Sequence, residues 1–532
     1  MIAVSVLAGA AAHPEPAVEF GRIFTDDMVL QRGTKAPVWG MAPAGSRVRV
    51  TFAGQVHTAR ADAKGRWAVK LDPLLASCAG RALAAGTENG TNVLTDVLVG
   101  EVWLAAGQSN MNWPVSRCRT PPPARNRDLI RMCNLEGTVG DDRGLVYGPS
   151  ELARLRPEAF YAGTWQTMER DAIRAQSGVA FFFADALAGA LRGAGPDGGD
   201  VPIGIVELAY GGTSTEAYIP PAVLRADPVL RPAFEDPRGT DTLGQWTSAR
   251  IARNLGGYEH TAPALPHPHP YAPGFLYWTG VAEIAPLAVR GAIWYQGESN
   301  AEFTEGRYDW PGEKLLEHQA RVMRTLIVSW RRAFGRADLP FYMVQLPGIN
   351  APNRVKWPWY REAQRRVARD TAGVELAVAP EFGADGPNVH PPDKAPVGRR
   401  LAYLARRLVY GEEIPSSGPR CVSCALDGNQ AVLRFENVEE GLIAVDGNPL
   451  REFEVAGDDR VFVPASARIA GDTVVVGSPR VPRPQFVRHG WHMNLDINLY
   501  NSNNVENLPA EPFRLRVRRR QKGACHGTRT HR

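Results

Sequence analysis

Three kinds of hydrophobic pattern follow one another along the chain. Between residues 15 and 96 apolar and polar positions alternate, most clearly over 46–52 and 67–71. Period-two alternation predicts half-buried strands. The turn residues between them (Pro43 to Gly45, Gly54, Lys64 and Gly65) predict a small antiparallel sandwich. From 97 to 412 short, wholly apolar runs take over, at 97–106, 203–209, 292–295, 341–346 and 376–379. Runs of this length predict buried strands. Between them apolar residues recur at helical spacing over 177–191, 313–334 and 396–410. Leu315, Val322, Leu326 and Trp330 mark one face of the second; Val397, Leu401, Leu404 and Leu408 mark one face of the third. Strand–helix alternation predicts an α/β fold built on a doubly wound parallel sheet with helices on both faces. From 413 to 515 short strands return, at 431–435, 460–463 and 472–476, so the sheet is flanked by N-terminal and C-terminal β-sandwich-like segments. The stretches 498–501 and 508–513 are expected to pack back on the core.

Composition sharpens this picture at the two ends. The chain has 532 residues and 44% hydrophobic content, enough for two to four domains. Its formal charge is +5, yet residues 514–532 hold eight Lys/Arg and no acid, so the body carries −3. A near-neutral body lacks the basic face a phosphate backbone needs, and no nucleic-acid partner is expected. Residues 516–532 read as a disordered basic tail. Residues 1–14 are apolar, then small, and end near Ala10-Ala11-Ala12. They read as the remnant of a secretory signal without its basic n-region, which points to a secreted, periplasmic or lysosome-like location. No other apolar run is long enough for a transmembrane helix. Six cysteines are too few for a disulfide scaffold. Cys118 and Cys133 would pair across a loop in an oxidising compartment; Cys421 and Cys424 form a lone C-x-x-C, a weak signal for zinc or redox work.

Chemistry-bearing residues gather just past the predicted strands. Gly107-Gln108-Ser109-Asn110-Met111 follows the first run, placing a serine at the sheet edge where open α/β folds bind ligands. A serine there is either a nucleophile in need of a base or a helix cap. Tyr210-Gly211-Gly212-Thr213 follows the second run; glycines there let backbone N–H groups face an oxyanion, or simply make a tight turn. Gln296-Gly297-Glu298-Ser299-Asn300 follows the third. Gln296 would donate to an oxyanion and Glu298 would orient a histidine, unless this is a plain polar loop. Asp385, Asn388 and His390 precede the last helix, and His390 has the best context of eleven histidines. His260, His267 and His269 read as surface turns, and His318 as a structural residue in mid-helix. Nucleophile, oxyanion donors, orienting acid and base on four strand-end loops meet the requirements of acyl transfer.

The same motifs resemble the sialate O-acetylesterase family of the SGNH hydrolase superfamily. The likeness includes the stretches 22–31 and 36–40, Arg361-Glu362-Ala363-Gln364, Lys394 with 397–402, and 462–465, and runs from about Phe20 to Arg514. The resemblance implies an SGNH-hydrolase-like, flavodoxin-like sheet over 97–412 between β segments at 15–96 and 413–515. It implies a serine esterase that removes O-acetyl groups from carbohydrates without metal or cofactor. O-acetylated sialic acid is the first substrate; plant or microbial glycans such as xylan are the alternative. By position, Ser109 is the nucleophile and His390 the base. Ser109, Gly211 or Gly212, and Gln296 would hold the oxyanion. Relatives place Asp two residues before the histidine, where this chain has Asn388. The third triad member is therefore open between Glu298 and Asp385, with Glu381 a weaker contender. A glycan-binding module that kept the fold and lost the chemistry is the rival from another class. Trp113, Trp165, Trp278, Trp357 and Trp359 would line a sugar platform or sit in the core.

Overall fold

The computed structural model describes residues 18–140, 146–169, 171–256, 264–303, 306–351, 353–383 and 388–519. Residues 1–14, Asp385 and 520–532 lie outside the described residues.

The architecture is mixed α/β with several sheets. Its centre is a parallel array of six strands: β1 (Gly90–Gly107), β2 (Ile130–Asn134), β3 (Ile203–Ala209), β4 (Gly291–Tyr295), β5 (Phe341–Val344) and β6 (Val374–Ala377). They lie side by side as β2-β3-β1-β4-β5-β6, with Trp165–Thr167 antiparallel on the β2 edge. Successive residues of a strand point to opposite faces, so a sheet covered on both faces needs continuous apolar runs. β3 and β4 are buried at every position. On one face Trp103, Ala105, Ile205 and Ile293 pack with helices α1 (Gly178–Ala190) and α4 (Ala395–Leu408). On the other, Leu104, Val206, Leu208 and Trp294 pack with α2 (Gly312–Ala333) and α3 (Trp357–Asp370). Ser177 caps α1, its hydroxyl accepting from the Ala180 N–H at 3.1 Å. The strand order leaves β1 between β3 and β4, whose connections depart to opposite sides, and ligands bind at such a switch point.

The expected boundary at 96/97 falls inside β1. The N-terminal half of that strand pairs with Ser77–Thr87 and Val29–Gln31, and its C-terminal half joins the parallel sheet. A three-stranded sheet of Glu19–Phe20, Ala36–Met41 and Arg66–Leu71 shares the same apolar core. Towards the C-terminus a five-stranded and a four-stranded sheet enclose a separate core of Leu433, Val455, Val474 and Phe513. Leu499–Asn501 is buried and Phe513 joins that core, so this end does pack back. Two expectations need correcting here. Arg460 turns the chain at φ 59°, and the strand is confined to Val463–Pro464. The tail expected from 516 is paired through Arg519, by Phe513–Arg516 and Arg518–Arg519.

Cys118 and Cys133 are free thiols, because they pack against opposite faces of the sheet. Cys421 and Cys424 are also free, buried in the C-terminal core. Among the described residues no helix is long and apolar enough to cross a membrane.

Candidate active site

Register sets the site. Gly107 of β1 is level with Ala209 of β3 and Tyr295 of β4. The chain therefore leaves all three strands at the same height, and the loops starting at Gln108, Tyr210 and Gln296 meet. Gly107 has φ +139° and a Cβ there would run into the Tyr295 carbonyl, so glycine is required. The Gln108 N–H then donates to that carbonyl at 3.0 Å, which turns Ser109 outward.

Ser109 and His390, 281 positions apart, meet: the serine Oγ lies 2.7 Å from His390 Nε2. The imidazole Nδ1 lies 3.0 Å from Asn388 Oδ1, which also accepts the His390 backbone N–H at 3.0 Å. One tautomer satisfies the set: Nδ1–H donates to Asn388, and Nε2 accepts the serine O–H. The Trp113 ring stacks on the imidazole with centroids 5.2 Å apart. Of the five sequence-selected tryptophans, Trp113 is the one against the site; Trp165 and Trp357 are core, each 1% exposed.

Beneath the serine lies a buried chain of polar groups that the sequence reading did not foresee. Asn110 donates from Nδ2 to Glu298 Oε1 and to the Val389 carbonyl, and its Oδ1 accepts from Lys394 Nζ. Burial pushes the Glu298 carboxyl up, while the Asn110 amide and the Lys394 and Arg354 charges pull it back. Burial drives the Lys394 ammonium down to about 7, against the pull of the Glu298 charge. Asn110 was visible in the Gly-Gln-Ser-Asn motif, but its type gave no hint that it would tie three loops together.

The structure corrects three of the expected roles. Gln296 is fully buried and spends both amide N–H groups on the Thr213 carbonyl at 3.1 Å and Asn300 Oδ1 at 2.6 Å, so it is not poised to hold an oxyanion. Among the described residues Glu298 gives one carboxylate oxygen to Asn110 and the other to none, and the imidazole Nδ1 is on Asn388 instead. Glu381 pairs with Arg400. Of the two glycines, Gly212 lines the pocket; its φ is +76° and its carbonyl is fixed by the Ser299 Oγ at 2.9 Å and Trp246 Nε1 at 3.2 Å. The N–H groups of Ser109, Gly211 and Gly212 donate to no described residue. Asp385 lies outside the described residues.

Ser109, Gly212, Glu298 and His390 line a pocket of about 140 Å³ together with Trp246 and with Arg354, itself paired with Glu302. Neither Trp246 nor Arg354 carries a motif that sequence reading would select. A larger groove of about 780 Å³ beside α2, at Asp227, Trp310 and His318, shares no lining residue with it. His318 is buried on α2 with its Nε2 3.9 Å from Glu216. His269 is not on a surface turn as expected: it is buried, stacks on Tyr147 and accepts from the Tyr271 N–H at 3.0 Å.

No family model matches the chain. It is 24% identical over 540 residues to the sialate O-acetylesterase of Rattus norvegicus, covering 94% of this chain and 95% of the relative. It is 24% identical over 481 residues to the human sialate O-acetylesterase, covering 84% and 82%. A carbohydrate acetylesterase from Xanthomonas citri of known crystal structure superposes with a TM-score of 0.72 at 29% identity, over 94% of this chain and 99% of that one. The chain is similar to sialate O-acetylesterases over most of its length. It is an ester hydrolase. In this esterase the likeness spans the flanking β segments as well as the sheet that bears Ser109.

Proposed function

We propose that this chain is a serine esterase that removes O-acetyl groups from carbohydrates, working through an acetyl-Ser109 intermediate on an SGNH-type sheet. The contact of 2.7 Å between Ser109 and His390 carries the reading. His390 takes the proton as Ser109 Oγ attacks the acetyl carbonyl. Negative charge gathers on the carbonyl oxygen, and the Ser109 and Gly212 N–H groups receive it. The C–O bond to the sugar breaks, and the imidazolium returns its proton to the leaving hydroxyl. Water, deprotonated by His390, then attacks the acetyl-serine and releases acetate. Asn388 keeps the tautomer but brings no charge to the imidazolium.

The name shared by the vertebrate relatives makes O-acetylated sialic acid the first substrate to try. The Xanthomonas neighbour, a carbohydrate acetylesterase, extends the panel to acetylated xylan. Acetate release from each is the assay. Ser109→Ala should lose about 10³-fold or more in kcat on the preferred ester. A fluorophosphonate probe should label Ser109 in the wild type and not in the variant. Equal turnover by the variant, or no labelling, would return the chain to the glycan-binding reading.

A further inference from the structure

Glu298 stands out among the buried polar groups. It is 3% exposed, its Oε1 is taken by Asn110, and its Oε2 has no hydrogen-bond partner among the described residues. A buried carboxylate oxygen left without a donor costs stability, commonly more than 1 kcal/mol for a charged group. Glu298 lines the pocket that holds Ser109 and His390, together with Arg354 and Trp246. Burial raises the Glu298 carboxyl, while Asn110 and the positive groups that act on it, Lys394 through Asn110 and Arg354, pull it back toward the ionised, acceptor form.

We propose that Glu298 Oε2 accepts a hydrogen bond from a free hydroxyl adjacent to the ester being cleaved, so that this chain selects acetyl esters of vicinal diols. The inference rests on the esterase reading of Ser109 and His390 and adds what the alcohol half must offer. A polyol such as a sugar ring carries that hydroxyl next to most of its acetylation positions. A simple alkyl acetate does not. A site with a buried acceptor discriminates against a ligand that leaves the acceptor bare, because the desolvated oxygen then stays unpaired. This role also accounts for the carboxylate standing apart from the imidazole, where Asn388 serves instead.

Two probes isolate the hydroxyl: trans-2-hydroxycyclohexyl acetate and cyclohexyl acetate, which share ring and ester. Their kcat/KM values are compared after division by the hydroxide-catalysed rate of each. The wild type should prefer the hydroxy ester by about 10- to 100-fold. In Glu298→Gln the amide oxygen stays on Asn110 and a donor replaces the acceptor, so the ratio should fall about tenfold. In Glu298→Ala it should fall to within about threefold of one. A wild-type ratio near one, or a ratio unchanged in Glu298→Ala while both rates drop together, overturns the proposal and makes Glu298 part of the acyl-transfer apparatus. Should thermal melts show that neither variant folds, the wild-type ratio decides alone. Wild-type protein that cleaves neither ester, or Ser109→Ala that cleaves both as fast, overturns the esterase reading itself and this inference with it.

Discussion

His390 is held by an amide where a carboxylate would stabilise its charged form. Asn388 Oδ1 receives both the ring N–H and the backbone N–H, a contact that selects the tautomer with its proton on Nδ1. Asn388→Asp would add a negative charge at that position and favour the imidazolium. The low-pH limb of kcat/KM should then move up by about one unit, with a higher plateau rate. A pH–rate profile of the two proteins on one acetyl ester checks both. Ser109 was legible in the sequence as a reactive residue type just past an apolar run, and His390 as the histidine in the loop that leads into the last helix. Gln296 and Glu298 were legible as polar strand-end residues but not in their roles. A polar side chain in such a turn has the same sequence signature whether it faces the pocket or the interior. Here Gln296 turned inward to Thr213 and Asn300, and Glu298 turned toward Asn110.

Among the elements, the serine loop, the 296–300 loop and the N-terminus of α4 are joined by one side chain. Asn110 bridges Glu298 and Lys394 and also holds the Val389 carbonyl, the peptide just before His390. Asn110→Ala leaves both charged groups buried without their shared partner, at a cost of roughly 3–5 kcal/mol. Urea unfolding should show a midpoint well below wild type, and fluorophosphonate labelling of Ser109 should slow because the histidine loop is no longer held. The strands that carry these loops were legible nearly to the residue where their runs are wholly apolar, as in β3 and β4. β2 was missed because Arg131 breaks its run. α3 was missed for a stronger reason. Its buried face includes Arg361, Glu362 and Arg365, which bond internally: Arg365 to Glu362, Arg361 to the carbonyls of Gly490, His492 and Met493. Hydrophobic periodicity cannot register a face built of paired charges.

At the scale of the whole molecule, two buried groups make stability depend on pH in opposite senses. Burial pushes the Glu207 carboxyl up to about 8 from an ordinary 4.5. The folded chain thus keeps a proton that the unfolded chain has released, and stability falls as pH rises from about 4.5 to 8. Lys394 works the other way: the folded chain loses its proton near 7 and the unfolded chain near 10.5, so its contribution rises with pH across that window. Glu207→Gln keeps an acceptor for the Ser177 N–H and removes the first effect. Its melting temperature should differ little from wild type at pH 4.5 and exceed it clearly at pH 8, by scanning calorimetry. The change of hydrophobic period marked out the wholly apolar parallel strands, but nothing at 96/97 reported that one strand serves two sheets, since no turn residue or composition shift signals it. That shared strand has a practical meaning. Anyone who trims this protein to a minimal esterase by deleting its first ninety residues removes the clamp on the near end of the beam whose far end carries the nucleophile.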